Sequence, residues 1–302
     1  INYKKKMKKV LVTGSSGFIA YHVIENLIKS GFEVTGVDIL DPENPFSDCK
    51  YLRKNVADLS ANELKDIDFI IHLACDTNIR NSIENPVPTT DNNLSVTIKL
   101  LSLASDAKIK KFVFPSTASM YGSNPIPWSE DMISDPGEPY SWQKISIEYA
   151  LKMWTSRYKL PTTILRLFQV FGENQRKDTA IAAFMSQKKN NKPITLIRSS
   201  SKSKFNTGRR DWIYVKDIAE AFKQTLVSNN TGNGEIINIA SGKLISVEEI
   251  AKTVGGEITF LPSRDYEVDD HLADISKAKK ILNWEYKTEV IPWLKDYIKK
   301  NI

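Results

Sequence analysis

Cysteine is scarce. Cys49 and Cys75 are the only two in 302 residues. They lie far apart and match no zinc or redox spacing, so a disulfide framework is excluded, no metal is expected, and a reducing cytosol is the expected compartment. Long apolar runs are missing too. No stretch approaches the roughly 18 consecutive apolar residues a membrane helix needs, so no membrane partner is expected. The start is rich in lysine (Lys4, Lys5, Lys6, Lys8, Lys9), but an apolar run and a Gly-rich turn follow, which is not the pattern of a signal peptide. Net charge is +6. No element carries a basic stripe interleaved with aromatics, so nucleic acid is not expected either. Repeats and extended low-complexity tracts are absent.

What is present is strand and helix in alternation over the first 170 or so residues. Lys9–Thr13, Glu33–Val37, Asp68–Ala74, Lys111–Phe114 and Thr162–Leu167 read as strands. Phe18–Lys29, Leu94–Ala107 and Tyr140–Tyr158 read as helices, and Gly31 stops the first. This predicts an α/β fold with a Rossmann-type, doubly wound parallel sheet. Residues 1–172 are assigned to a dinucleotide-binding domain. Residues 173–302 are assigned mostly to a smaller substrate-binding lobe, with about 210–240 returning to the first domain. Asn190–Gly208 is polar and reads as a long loop. Helices are expected at Val215–Leu226, Val247–Thr253, Ile275–Leu282 and Val290–Lys300, and a strand at Ile236–Ile239.

Thr13-Gly14-Ser-Ser-Gly17-Phe18-Ile19-Ala20 joins the first strand to the first helix. Glycines there allow a tight turn and let a pyrophosphate approach the helix N-terminus. Asp38 ends the second strand, where a carboxylate accepts hydrogen bonds from ribose hydroxyls and repels an added phosphate. The expected cofactor is therefore NAD. Asp58-Leu59 is expected at the adenine edge and Leu73-Ala74 along the pyrophosphate. Tyr140 and Lys144 stand four apart, on one face of a helix. A cation beside the phenol would lower its pKa and fit it to take a proton from an alcohol.

Together these pieces resemble the extended short-chain dehydrogenase/reductase family, in particular its nucleotide-sugar epimerases and dehydratases. Further matching segments are His72-Leu-Ala74, Asn93, Ser116-Thr117-Ala-Ser-Met-Tyr-Gly122, Leu165–Gly172, Arg210–Asp217, Asn238–Gly242 and Ala273–Ala278. The resemblance implies Tyr140 as catalytic acid and base, Lys144 on the nicotinamide ribose, and Thr117 on the reacting sugar oxygen, with Ser116 the weaker candidate. It implies Asn93 as a structural and cofactor-side residue, and Gln169, Arg210, Arg264 and His271 around the substrate. Gln169 replaces the family's usual Asn, and the usual Gly-Asp-Gly turn before Arg210 is absent. The implied partner is a nucleotide sugar, and a homodimer is implied through the helices Leu94–Ala107 and Tyr140–Tyr158.

The residues then sort the reactions. A 4-epimerase needs only the Tyr, Lys and hydroxyl set and a roomy sugar pocket. A 4,6-dehydratase needs an added acid–base pair, which the family supplies as Asp-Glu directly after the threonine. Ala118 and Ser119 stand there. A 4-keto reductase stays open, although Asp38 suits NAD rather than NADPH. A dinucleotide-binding sensor without turnover typically lacks the Tyr or the Lys. The expected activity is NAD-dependent inversion at C4 of a nucleotide sugar, a UDP-hexose by preference.

Overall fold

The computed structural model describes residues 7–263 and 268–301. Its centre is a parallel sheet built from β1 (Lys9–Thr13), β2 (Glu33–Asp38), β3 (Cys49–Arg53), β4 (Phe69–His72), β5 (Lys111–Thr117), β6 (Thr162–Leu167) and the later strand Asn233–Ile239. The spatial order is Asn233–Ile239, β6, β5, β4, β1, β2, β3. The chain winds outward from β1 through β2 and β3, then returns to the other side of β1 to lay down β4, β5 and β6. The reversal opens a crevice at the carboxyl ends of β1 and β4, where such sheets bind ligands.

Period-2 alternation divides the apolar residues between two faces. Val10, Val12, Ile71 and Val113 enter one core with Val23, Ile24 and Leu27 of the helix Phe18–Lys29 and Ile218 and Phe222 of the helix Val215–Val227. Leu11, Ile70, Phe112 and Phe114 enter the other, with Leu100 and Leu101 of the helix Val96–Asp106 and Ile147 and Leu151 of the helix Pro139–Tyr158. A third core, with Phe171, Phe184, Trp212, Ile250 and Leu294, holds the C-terminal elements together.

Some expected elements differ in extent. The Leu94–Ala107 helix is regular over Val96–Asp106 and is preceded by a wider π-turn at Asp91–Ser95. The expected loop Asn190–Gly208 contains a strand, Ile194–Ile197, paired in parallel with Ile258–Leu261. β3 carries no apolar run to announce it. It exists because β2 offers a free edge, with which it pairs from Val34–Cys49 to Asp38–Arg53.

The helix Pro139–Tyr158 is fixed by polar ties as well as by packing. Glu138 caps it, accepting from the Ser141 N–H at 3.0 Å, and Pro139 occupies the first turn. Arg166 on β6 grips Glu148 bidentately, at 3.0 and 2.8 Å, with both side chains at most 5% exposed. The guanidinium also lies 4.8 Å from the Tyr121 ring centroid. Removing one member of a buried ion pair strands its partner in a dry site. Glu148→Ala is therefore expected to destabilise the protein by about 3–5 kcal/mol, read from urea unfolding curves.

Candidate active site

The turn after β1 is built on backbone geometry. Gly14 has φ +67°, and a Cβ there would lie 2.6 Å from the Ala74 backbone nitrogen. Only glycine lets the loops after β1 and β4 approach this closely. Gly17 N donates to Gly14 O at 3.0 Å, and the helix Phe18–Lys29 starts at once, so its first N–H groups face the crevice. The third small position, Ala20, is buried. Asp38 stands at the end of β2 and accepts from Ser16 N and Leu40 N, both at 3.0 Å. Two accepted bonds leave further lone pairs on its carboxylate.

A buried chain of hydroxyls and imidazole locks these loops in place. Ala74 N donates to Thr13 Oγ1 at 3.2 Å, and Thr13 Oγ1 meets His72 Nδ1 at 2.7 Å. His72 Nε2 meets Thr97 Oγ1 at 2.9 Å, and Thr97 Oγ1 donates to Asn93 O at 2.5 Å. Thr97 spends its proton on that carbonyl, so His72 donates from Nε2 and accepts at Nδ1. This is the neutral imidazole. Burial, assisted by the Lys144 charge, pushes its pKa down to about 3.

Two cavities of about 440 and 450 Å3 share Gly14, Gly17, Leu73 and Cys75 and so form one continuous cleft. Asp38 and Ala74 line the first; Phe18, Ile19, Ser116, Thr117, Tyr140, Lys144 and Gln169 line the second. A larger groove of about 800 Å3 lies beside the closing helix, between Glu173 and Trp293, and holds none of the expected site residues. Tyr140 and Lys144 are both buried. Lys144 Nζ donates to Pro115 O at 3.0 Å and lies 4.4 Å from the Phe114 ring centroid and 5.7 Å from that of Tyr140. Within the protein, burial pushes the Tyr140 phenol well above its ordinary pKa, and Cys75 and Glu138 add to this. A hydrogen bond with Thr117 and the charge of Arg176 oppose it. The lowering expected from Lys144 is not among these influences, and desolvation dominates.

Other expected residues stand elsewhere. Asn93 is buried and its amide is spent: Oδ1 accepts from Asp76 N at 2.8 Å, and Nδ2 donates to Asp76 O at 2.9 Å and Gln143 Oε1 at 2.7 Å. Asp58 and Leu59 end a short 3-10 turn and do not line the cleft; Asn55 and Val56 do. Arg210 and His271 are register partners on adjacent strands and line neither of the two cavities. Arg210 Nη1 donates to Asp269 O at 2.8 Å, and the His271 ring lies 5.0 Å from that of Trp128. Burial and the Arg210 charge push the His271 pKa well down. Arg264 lies outside the described residues. Sequence reasoning missed Cys75, Asp76, Arg176 and Thr179, which line the cleft. Cys75 and Asp76 directly follow Ala74 and could have been found by extending that motif. Among the described residues no His/Cys/Asp/Glu group could hold a metal ion, and no helix is long and apolar enough to cross a membrane.

A model of the NAD dependent epimerase/dehydratase family matches residues 10–240. The chain belongs to this family. A UDP-glucuronate 4-epimerase of Thermodesulfobacterium geofontis is 33% identical, over 97% of this chain and 96% of that protein. Among solved structures, the UDP-N-acetylglucosamine 4-epimerase of Methanobrevibacter ruminantium M1, in complex with UDP-N-acetylmuramic acid, superposes with TM-score 0.88 and 28% identity, covering 97% and 98% of the two chains. The UDP-glucuronic acid 4-epimerase of Bacillus cereus, in complex with UDP-glucuronic acid and NAD, gives 0.87 and 30%, covering 97% and 99%. In this epimerase/dehydratase-family chain Ala118 is buried, and the Ser119 hydroxyl is taken up by Thr117 and Ser141.

Gly14→Ala tests the crevice. The left-handed φ and the Cβ contact are expected to lower stability by about 1–3 kcal/mol, read as a fall in Tm.

Proposed function

We propose that this protein is an NAD-dependent 4-epimerase of UDP-activated sugars, working through a transient 4-keto sugar. The observation that carries the reading is one cleft with a Gly-rich turn and Asp38 at one end and Thr117, Tyr140 and Lys144 at the other. The backbone approach at Gly14 and the open lone pairs of Asp38 fit a dinucleotide. In this reading Gly14, Gly17, Leu73 and Ala74 hold its pyrophosphate, Asp38 its adenosine ribose, and Lys144 its nicotinamide ribose. When bound, NAD accepts a hydride from C4 of the sugar and later returns it. Thr117 holds the C4 oxygen while Tyr140 takes the hydroxyl proton and gives it back after the keto sugar has turned over. The C-terminal lobe supplies the nucleotide side, where Arg210 is the proposed diphosphate contact. A reducing cytosol suits the two free thiols.

One feature bears on the sugar. Arg176 lines the catalytic end of the cleft and puts positive charge near Tyr140, while pairing with Asp178 at 2.9 and 3.0 Å. This favours a hexuronate beside the uncharged hexose the sequence suggests. The test is incubation of purified protein with UDP-glucuronate, UDP-glucose and UDP-N-acetylglucosamine, without added reductant, followed by NMR of the C4 configuration. Interconversion of at least one sugar is expected, with a loss of about 100-fold or more in Tyr140→Phe. No exchange with any of them overturns the reading.

We also propose a homodimer. Leu101 and Ile145 are buried in this chain's own core, but Trp142, Tyr149 and Met153 share one helix face and are 49%, 68% and 46% exposed. Such a face on Pro139–Tyr158 suits the same helix of a second copy. Sedimentation is expected to give a dimer, and Tyr149→Glu a monomer.

A further inference from the structure

Between Phe171 and Ala180 the chain changes sides. Glu173 and Asn174 line the groove beside the closing helix Val290–Asn301, whereas Arg176 and Thr179 line the catalytic end of the cleft. Asn174 makes the reversal with φ +62°, a left-handed conformation that asparagine tolerates better than most residues. At the cleft end the contacts are exposed. Arg176 pairs with Asp178 at 2.9 and 3.0 Å, with the two side chains 50% and 60% exposed. Its Nη1 also donates to Thr77 Oγ1, on the loop after β4. Exposed pairs of this kind hold a side chain weakly.

The firm anchorage is at Glu173, where three separate elements converge. His22, on the helix Phe18–Lys29, meets the Glu173 carbonyl oxygen through Nε2 at 2.8 Å. Tyr214, at the end of the strand Arg209–Tyr214, donates its hydroxyl to Oε2 at 2.7 Å. Trp293, on the closing helix, donates Nε1–H to Oε1 at 3.0 Å. These partners lie 151, 41 and 120 residues away in sequence, so the seat is made by the fold and not by a local turn. A carbonyl only accepts, so His22 carries a hydrogen on Nε2. Burial pushes its pKa down and keeps the ring neutral. The carboxylate stays charged. Burial alone would raise its pKa, but the bonds from Trp293 and Tyr214 more than offset this and hold it below its ordinary value. Phe171 packs on both donors, its ring centroid 5.5 Å from that of Tyr214 and 5.1 Å from that of Trp293, so neither swings away without opening the third core. Just before Glu173, Gly172 lies so close to Val215 that a Cβ there would overlap it.

We propose that Glu173 is a positioning residue that seats residues 172–179 and thereby fixes Arg176 at the sugar end of the cleft. It touches neither sugar nor dinucleotide in this scheme. Its carboxylate is held from the third core and its carbonyl from the helix that opens the crevice. One residue thus ties both to the wall that carries Arg176. Without that seat, only the exposed contacts hold the guanidinium, and the sugar meets a wall that is no longer fixed. The cost falls on sugar binding rather than on hydride transfer, because Thr117, Tyr140 and Lys144 stand on other elements.

This role rests on the epimerase reading, and one set of measurements separates the two. C4 exchange of UDP-glucuronate, UDP-glucose and UDP-N-acetylglucosamine is followed by NMR with NAD-loaded protein, below the Tm of every variant. Glu173→Ala is expected to raise KM about tenfold for the sugar turned over best and to leave kcat within about twofold. Glu173→Gln is expected to keep KM within about twofold of wild type: its amide oxygen accepts from Trp293, and its NH2 donates to the Tyr214 hydroxyl, which accepts as well as donates. That rescue separates position from charge. Arg176→Ala is expected to raise KM by itself, and the double variant with Glu173→Ala to raise it no further, because both changes remove one placed group. Where Glu173→Ala does not fold, Tyr214→Phe removes a single donor and is expected to raise KM about threefold. The role is overturned if either variant lowers Tm with KM unchanged, if Glu173→Gln fails as Glu173→Ala does, or if the two KM increases multiply in the double variant. Wild type that exchanges none of the three sugars overturns the epimerase reading, and the role with it.

Discussion

The approach of β1 to β4 at the sheet's reversal point governs the rest of the site. Their following loops touch through Gly14 and the Ala74 backbone, a contact that admits no side chain. Close backbone approach strands polar groups, and here they are paired. Thr13, His72, Thr97 and Asn93 form an unbroken buried line from one loop, through β4, to the start of the helix Val96–Asp106. Neutral His72 is essential to it, since it accepts on one side and donates on the other. Asn93 then fixes Asp76 and, through Gln143, the helix Pro139–Tyr158. The crevice wall and the helix with the proposed base are thus set by a single network.

That helix is over-determined for the same purpose. Tyr140 and Lys144 must share a face, but a helix could rotate by tens of degrees and keep its apolar contacts. Directional bonds forbid this: Gln143 to Asn93, Lys144 to Pro115 and Glu148 to Arg166 lie within two turns, point in different directions and reach three different elements. Apolar burial supplies stability, and the polar ties supply orientation.

The apolar strands β1, β4, β5 and β6 could be read in the sequence because buried parallel strands are continuous apolar runs. β3 could not, since its Cys49-Lys-Tyr-Leu-Arg53 pattern is that of an edge, formed by pairing with β2 rather than by its own composition. Ile194–Ile197 was hidden in a polar stretch for the same reason, its partner lying over 60 residues away. Gly14, Asp38, Thr117, Tyr140 and Lys144 share one cleft, and local motifs pointed to them because each sits at a strand end or on one helix face. Where Arg210 and His271 stand depends on how later segments fold back, and spacing does not encode that. Nor does it encode the link from Ser119 to Ser141, which forms only when the helix start docks against the turn after β5.

The hydroxyls beside Thr117 also bear on which chemistry the cleft can support. Eliminating water across C5 and C6 needs one group to hold a proton for the leaving hydroxyl and another to remove the C5 proton. A serine hydroxyl can pass a proton but cannot store one, because its protonated and deprotonated forms both lie far from neutral pH. Ser119 is moreover committed on both sides, to Thr117 and to Ser141. The nearest carboxylate along that line, Glu138, is held two hydroxyls away from Thr117 at the head of the helix. Proton movement at a single oxygen is compatible with this arrangement. Simultaneous acid and base action at two further carbons is not, which accords with chemistry at C4 as proposed for these residues.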